Sequence, residues 1–82
     1  MHDAVTQHWQ PSPRLRAQVL ELYGATCWLC GEPISGRWDI DHVQPRSVAP
    51  ARMYDVSNMR PAHPACNRRR GDKPPGGDVW QV

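Results

Sequence analysis

The pattern of apolar and polar residues predicts one amphipathic helix near the N-terminus. Three apolar residues recur at i, i+4 and i+7: Leu15, Val19 and Leu22. Residues with this spacing share one face of a helix. Ser12-Pro13 is typical of a helix start, and Gly24 is typical of the residue that caps a helix end. We therefore expect a helix between Ser12 and Gly24 whose apolar face packs on the rest of the domain.

Two short strands and a second helix are expected further along the chain. Residues 38–43 combine partial alternation with Trp, Ile and Val, which is typical of a strand. Residues 59–62 indicate a second strand, and Pro61 confines it to a sheet edge because proline has no N–H to donate. Between the strands we expect a loop over residues 44–51 and a helical turn over residues 52–56. A helix should begin at Asn67 and stop at Gly71.

The length allows one domain with a small core. The chain has 82 residues, no Phe, nine Pro and six Gly, so a large hydrophobic core is not expected. A domain of this size needs a disulfide or a metal to stabilise it. We predict a flexible segment over residues 1–11, a folded domain over residues 12–73 and a tail over residues 74–82. No apolar run suits a membrane span or a signal peptide, which predicts a soluble cytoplasmic protein.

Two pairs of possible metal ligands have the same two-residue gap. They are Cys27-x-x-Cys30 and His63-x-x-Cys66. Three cysteines cannot form a closed set of disulfides, whereas three thiolates and one imidazole suit a tetrahedral zinc site. A rival set would use His42 in place of His63. Either set is saturated by protein ligands, so we predict a structural zinc and expect any chemistry to lie elsewhere.

An acidic residue stands beside a histidine at the end of the first predicted strand. Asp41 offers carboxylate oxygens, which are the ligands that a hard cation prefers. His42 offers an imidazole, which can take a proton from water near neutral pH. The pair could therefore supply a ligand for a divalent cation and a general base. The alternative is an ordinary solvated strand end.

The basic residues are mostly arginine and gather near the C-terminal end. The formal net charge is only +2, and nine of the ten basic residues are Arg. Candidate phosphate ligands are Arg60, Arg68, Arg69, Arg70 and Lys73. Arginine grips phosphate with two parallel hydrogen bonds, which suits a nucleic-acid backbone. The alternative is an ordinary solvated helix face.

The order and spacing of these motifs resemble the HNH endonucleases. The resemblance runs from about Cys27 to Lys73 and includes Asp41-His42, Asn58, Cys66-Asn67 and the basic Arg70-Gly71-Asp72 that follows. It implies an α+β fold, a small zinc-stapled ββα-metal finger with an added N-terminal helix. Many family members carry a zinc site built from two cysteine pairs, so His63 stands where cysteine is usual. Small stand-alone members are frequent in bacteriophage genomes.

The resemblance also implies a role for each matching residue. His42 corresponds to the general base, and Asp41 corresponds to the acid that ligates the catalytic cation. Asn58 corresponds to the asparagine that braces the hairpin loop and orients the base. Asn67 takes the last motif position, where histidine is also common, and completes the metal grip through its amide oxygen. The chain is therefore an HNN variant of the motif.

The implied activity is metal-dependent hydrolysis of DNA phosphodiester bonds that leaves 5′-phosphate and 3′-hydroxyl ends. Magnesium or manganese would be the catalytic cation, zinc would be structural, and the protein would be a monomer or a weak dimer. Two alternatives remain open at this point. One is a non-catalytic zinc-finger module that binds nucleic acid or protein. The other is an accessory nuclease of a phage DNA-packaging complex, with terminase or packaging proteins as partners.

Overall fold

The computed structural model describes residues 9–71 and has an α+β architecture, as the sequence predicts. Helix α1 spans Pro13–Tyr23, strand β1 spans Asp39–His42, strand β2 spans Met59–Ala62 and helix α2 spans Pro64–Arg70. Two 3₁₀ turns, Pro50–Arg52 and Val56–Asn58, lie in the loop between the strands. Within residues 9–71, no helix has both the length and the apolar character needed to cross a membrane.

Helix α1 begins and ends where the sequence predicts. The Ser12 side chain accepts a hydrogen bond from the Leu15 N–H at 3.1 Å, and Gly24, at φ +80°, donates its N–H to the Leu20 carbonyl. Val19 is fully buried, but Leu22 is 55% exposed, so the expectation that Leu22 packs on the domain is wrong. Tyr23 packs on the core instead, and its hydroxyl donates to the Val56 carbonyl at 2.8 Å.

Strands β1 and β2 form an antiparallel two-stranded sheet. The register pairs Ile40 with Pro61 and His42 with Met59. Pro61 is tolerated because a strand in a two-stranded sheet has an outer edge where no N–H is needed for the ladder. The Pro61 carbonyl accepts from the Trp28 N–H at 3.0 Å, which ties the cysteine-containing turn to the sheet.

Two small apolar clusters form the core. The first consists of Val19, Ile40 and Met59 and joins α1 to both strands. The second consists of Cys27, Ala62 and Cys66 and joins the cysteine turn to β2 and α2. Two of the three residues in the second cluster are cysteines and the third is alanine, so its packing alone contributes little. A metal held by the same cysteines would therefore add much to the stability of this end of the domain.

Helix α2 begins three residues earlier than predicted. Pro64 occupies its first position, where the missing N–H costs nothing because the first helical N–H groups have no partner within the helix. Gly71, at φ +58°, ends the helix and donates its N–H to the Asn67 carbonyl at 3.1 Å, as predicted. Lys73 and the tail over residues 74–82 lie outside the described residues, as do residues 1–8. Trp9 packs on the first core cluster.

Candidate functional site

The two predicted ligand pairs meet at one point of the fold. One ligand atom from each of four residues lies within 4.8 Å of the other three: Cys27, Cys30, His63 and Cys66. A tight turn presents the first pair, since the Gly31 N–H donates to the Cys27 carbonyl at 2.8 Å and Gly31 takes φ +81°. The start of α2 presents the second pair. The group could hold a zinc ion, as its donors and grouping match a tetrahedral site.

The hydrogen bonds of His63 fit a metal ligand. Its Nε2 lies 3.2 Å from the Pro33 carbonyl, and a carbonyl oxygen can only accept, so Nε2 carries the proton. The unprotonated Nδ1 then lies 3.4 Å from Cys30 Sγ and 3.9 Å from Cys66 Sγ. A carbonyl that fixes the tautomer in this way is the usual support for a zinc-binding histidine. The rival ligand His42 lies in a different cavity.

The three thiols of this group lie close enough together to bind one cation. Burial would raise the pKa of Cys27, but hydrogen bonds from the backbone N–H groups of His63, Cys30 and Leu29 prevail and lower that pKa to about 6. Burial raises the pKa of Cys66, and so do the neighbouring thiols of Cys27 and Cys30. Thiolates crowd one another here. A cation among them would relieve that repulsion.

A second cavity, of about 510 Å³, brings together three of the four residues that the HNH resemblance assigns to chemistry. Asp41, His42 and Asn67 all line it. The loop after β1 and the end of α2 supply the remaining lining residues: Pro45, Arg46, Ser47, Pro50, Met53 and Gly71. The cavity can therefore accommodate a cation, a water molecule and part of a substrate beside one imidazole.

His42 is held by a hydrogen bond that defines its tautomer. Its Nε2 lies 2.8 Å from the Met53 carbonyl, so Nε2 carries the proton and Nδ1 is the basic atom. The residue is only 7% exposed. Burial lowers the pKa of His42 and the positive charge of Arg46 lowers it further, while the Met53 carbonyl and Asp41 oppose the shift. The imidazole is therefore neutral at pH 7 and can accept a proton.

Asp41 is buried, and its hydrogen bonds to other residues of the range 9–71 fall on one carboxylate oxygen. Its Oδ2 accepts from Trp28 Nε1 at 2.9 Å and from Arg70 Nη1 at 2.8 Å. Burial raises the pKa of Asp41, while the charge of Arg70 and the two donors pull it back toward its ordinary value. Both bonds fall on the same oxygen, which leaves Oδ1 as the atom that could bind a cation.

Two asparagines position the surroundings of this cavity. Asn67 Nδ2 donates a long hydrogen bond, of 3.4 Å, to Asp39 Oδ2. Asn58 is 1% exposed and bonds both the N–H and the carbonyl of Gln44, at 2.9 and 3.0 Å. Its Nδ2 also lies 3.4 Å from the Arg52 carbonyl, next to Met53. Asn58 thus ties together the two ends of the loop that carries the partner of His42.

Arg70 differs from the phosphate-binding residue that its place in the basic cluster suggests. Its guanidinium is buried and donates to Asp41, to the His42 carbonyl at 2.8 Å and to the Val43 carbonyl. It joins the end of α2 to the end of β1. Arg68 and Arg69 are exposed on α2. Arg60 is half-buried, and its guanidinium lies 4.2 Å above the Tyr23 ring.

Several residues of the site could not be singled out from the sequence. The Met53 carbonyl is a backbone atom and leaves no sequence signature. Trp9 lies in a segment without periodicity, yet its ring meets the His42 imidazole edge to face, with centroids 4.7 Å apart. Tyr54 contacts Trp9 in turn, at 5.3 Å. An isolated Trp in a polar segment is the one signal that could have pointed to this packing.

Comparison with known proteins agrees with the geometry. No curated protein and no solved structure matches this chain. The family description "HNH endonuclease" matches residues 27–73, which is more than half of the 82-residue chain and includes both ligand pairs and the cavity residues. The chain belongs to the HNH endonuclease family.

Proposed function

We propose that the protein is a metal-dependent endonuclease that hydrolyses DNA phosphodiester bonds and leaves 5′-phosphate and 3′-hydroxyl ends. The observation that carries the proposal is the placement of His42. Its Nε2 is fixed by the Met53 carbonyl at 2.8 Å, in a cavity that Asp41 and Asn67 also line. A non-catalytic binding module has no need of a buried imidazole held in this way.

The proton-transfer step belongs to His42. Attack on a phosphodiester needs a water molecule that loses its proton as it approaches phosphorus. Nδ1 of His42 is the basic nitrogen, because Nε2 already carries the proton that it donates to Met53. Burial lowers the pKa of His42, which keeps the ring neutral at the pH of the cell. We therefore assign His42 as the general base.

Asp41 and Asn67 would hold the catalytic cation, with magnesium or manganese as the candidates. The oxygen donors are Asp41 Oδ1 and the Asn67 amide oxygen, and few protein ligands is typical of magnesium. When bound, the cation would act as a Lewis acid on the phosphoryl group and the departing 3′-oxygen. Arg70 orients the Asp41 carboxylate through the buried bond at 2.8 Å.

Asn58 acts on the reaction through the loop rather than by touching substrate. Its side chain bonds Gln44 and the Arg52 carbonyl, which brackets the segment that ends in Met53. Because the Met53 carbonyl fixes the tautomer of His42, movement of this loop would misdirect the base. Asn58 is therefore a positioning residue.

DNA binding is assigned to basic side chains on α2, on the cavity wall and in the segments next to them. Arg68 and Arg69 are exposed on α2, and Arg46 is exposed on the cavity wall. Arg60 and Lys73 extend the set, Lys73 lying beyond the described residues. Contacts of this kind hold the phosphate backbone with little regard to sequence. The Cys27, Cys30, His63 and Cys66 group would hold zinc as scaffold, because four protein ligands leave no open position for substrate.

A plasmid nicking assay tests the proposal. Wild-type protein with magnesium or manganese is expected to nick or cut supercoiled plasmid, and His42→Ala is expected to lose about 100-fold or more of that activity. Gln18→Ala, an exposed change on α1, is the matched control and should act as the wild type does. Circular dichroism checks that His42→Ala is folded. Failure of the wild type to cleave with every divalent cation tested would contradict the nuclease and favour a zinc-finger binding module.

A further inference from the structure

Two aromatic rings form a continuous surface beside the proposed general base. The Trp9 ring contacts the His42 imidazole edge to face at 4.7 Å, and the Tyr54 ring contacts Trp9 at 5.3 Å, tilted by 46°. We call Trp9 and Tyr54 the aromatic step. Neither residue belongs to the HNH motif positions, and Trp9 lies outside the stretch that matches the family.

The inner half of the aromatic step is firmly attached to the catalytic machinery. Trp9 packs on the first core cluster as well as on His42. Tyr54 directly follows Met53, whose carbonyl fixes His42 at 2.8 Å. The step is therefore held at a set distance from the nitrogen that would activate water, both through the loop backbone and through ring packing.

The outer half of the step is open to solvent. Tyr54 is 60% exposed and is one of three large apolar side chains exposed in the described part of the chain. Burying this ring in the protein would have been stabilising. An exposed aromatic ring that contacts a second ring is instead suited to stacking a flat partner.

The positive charge of Arg46, in the same cavity as His42, indicates which class of partner could bind beside the aromatic step. Arg46 is exposed, lines the cavity with His42 and is close enough to lower the pKa of His42. The cavity thus combines a cation for a phosphate with a neighbouring aromatic surface for a ring. A nucleotide has both a phosphate and an aromatic base, a few ångströms apart. An apolar protein surface has no phosphate to bind in the cavity.

We propose that the aromatic step stacks an unpaired nucleobase next to the scissile phosphate, so that the preferred substrate is DNA with unpaired bases at the cleavage point. In an intact duplex both faces of a base are covered by its neighbours, so no face is free to lie on Tyr54. A bubble, a flap or a single strand frees that face. Stacking of this kind is a common feature of single-strand binding surfaces. The inference rests on the proposed nuclease function and adds its substrate class.

The test compares binding of two DNA duplexes of one sequence, one fully paired and one with a short central bubble that contains 2-aminopurine. Binding is measured without added divalent cation, so that no cleavage occurs and any bound zinc is retained. Wild-type protein should bind the bubble about tenfold more tightly and quench the 2-aminopurine fluorescence, which reports base stacking. Tyr54→Ala should lose both effects, and Tyr54→Phe should keep them.

Leu22→Ala is the matched control, since it removes an equally exposed apolar side chain on α1, away from the cavity. It should leave both effects unchanged. Equal affinity for the two duplexes, absence of quenching, or a Tyr54→Ala protein that quenches like wild type would overturn the proposal.

Cleavage of the same two duplexes with magnesium or manganese separates this proposal from the nuclease itself. A protein that cuts both duplexes equally, without quenching, would be a nuclease that lacks the proposed substrate preference. A protein that quenches in a Tyr54-dependent way but cuts neither would bind unpaired bases without being a nuclease. Preferential cutting next to the bubble, lost in Tyr54→Ala, supports both.

Discussion

Two neighbouring regions of this small domain are held by different kinds of interaction. In the first, which we call the scaffold region, Cys27, Cys30, His63 and Cys66 converge within 4.8 Å and could be held by one ion. In the second, which we call the cavity region, the surroundings of His42 are held by a buried ion pair and by side-chain bonds to backbone atoms. With one ion joining its four ligands, the first arrangement would be lost as a unit. The second is a set of separate contacts, each of which can be removed singly.

That difference allows stability and activity to be separated by mutation. Loss of the metal group should unfold the domain, because the apolar clusters are small. Loss of one contact around the cavity should leave a folded protein whose catalytic groups are misplaced.

The largest effect is expected from Cys27→Ser or from zinc removal by a chelator. A structural zinc contributes about 10–16 kcal/mol of apparent binding free energy in small zinc domains, which exceeds what this core can replace. Circular dichroism should show loss of helix, and metal analysis of the wild type should find one zinc per chain. Asp41→Ala should stay folded under the same conditions. Equal unfolding of the two variants would contradict the claim that the scaffold region controls stability while the cavity region can be altered in a folded protein.

A smaller but still large effect is expected from Arg70→Ala. The change leaves the Asp41 carboxylate buried without its partner at 2.8 Å, and breaking a buried ion pair costs about 3–5 kcal/mol. Denaturant unfolding measures this loss. Arg68→Ala, two residues away on the same helix and exposed, is the matched control and should change the free energy of unfolding by less than about 0.5 kcal/mol. An Arg70→Ala protein as stable as the wild type would contradict a stabilising role for the buried ion pair.

Asn58→Ala should reduce stability moderately and activity more. The side chain makes two bonds to Gln44 at 2.9 and 3.0 Å, and leaving such buried groups unsatisfied costs about 1–3 kcal/mol. The cleavage rate should fall further than stability predicts, because the loop also carries the Met53 carbonyl. Kinetics at a temperature where the variant is fully folded separates the two effects. A rate that falls only in proportion to the unfolded fraction would argue against a positioning role.

The pH dependence of cleavage should follow the protonation of His42. Burial lowers the pKa of His42 below its ordinary 6.5, so the rate should hold down to that pH and fall only at lower values. The free energy of unfolding should change with pH in the same direction. Between the lowered pKa of folded His42 and the ordinary value of 6.5, the unfolded state binds the proton more readily, so stability rises with pH over this range. A rate that already falls well above pH 6.5 would contradict the assignment.

The smallest effect is expected from single exposed arginines. Arg68→Ala or Arg69→Ala should weaken binding to all DNA sequences alike and reduce the salt dependence of binding by about one ion per residue. Titrations at several salt concentrations measure the slope. Arg37→Ala, an exposed arginine outside the cavity and outside α2, is the control. A sequence-dependent loss would indicate base contacts instead of phosphate contacts.

The sequence predicts the scaffold region better than the cavity region. The candidate metal ligands can be recognised from residue type and spacing. Helix α1 can be predicted from Ser12, Pro13 and Gly24, because capping residues act within a few positions of the helix ends. Placing Cys30 against His63 needed only the two repeated gaps. The start of α2 was missed because Pro64 lies within the second ligand pair, where it serves as the first helical residue.

The contacts of the cavity region join residues that are far apart in the sequence, so they are hard to predict from the sequence. Arg70 has two arginine neighbours, and only the fold turns it toward Asp41 while Arg68 and Arg69 face solvent. Leu22 was expected to be buried, but Tyr23 takes that place because its hydroxyl reaches the Val56 carbonyl. Likewise, no residue type marks Met53, since its backbone oxygen makes the bond.

Chemical rescue of His42→Ala is the sharpest test of the general base. Cleavage of one labelled DNA strand is measured under single-turnover conditions for wild type and for His42→Ala, with and without free imidazole. The variant is expected to be folded, to cleave at least about 100-fold more slowly and to regain part of its rate as imidazole is added. A His42→Ala protein that cleaves as fast as wild type would rule out His42 as the general base.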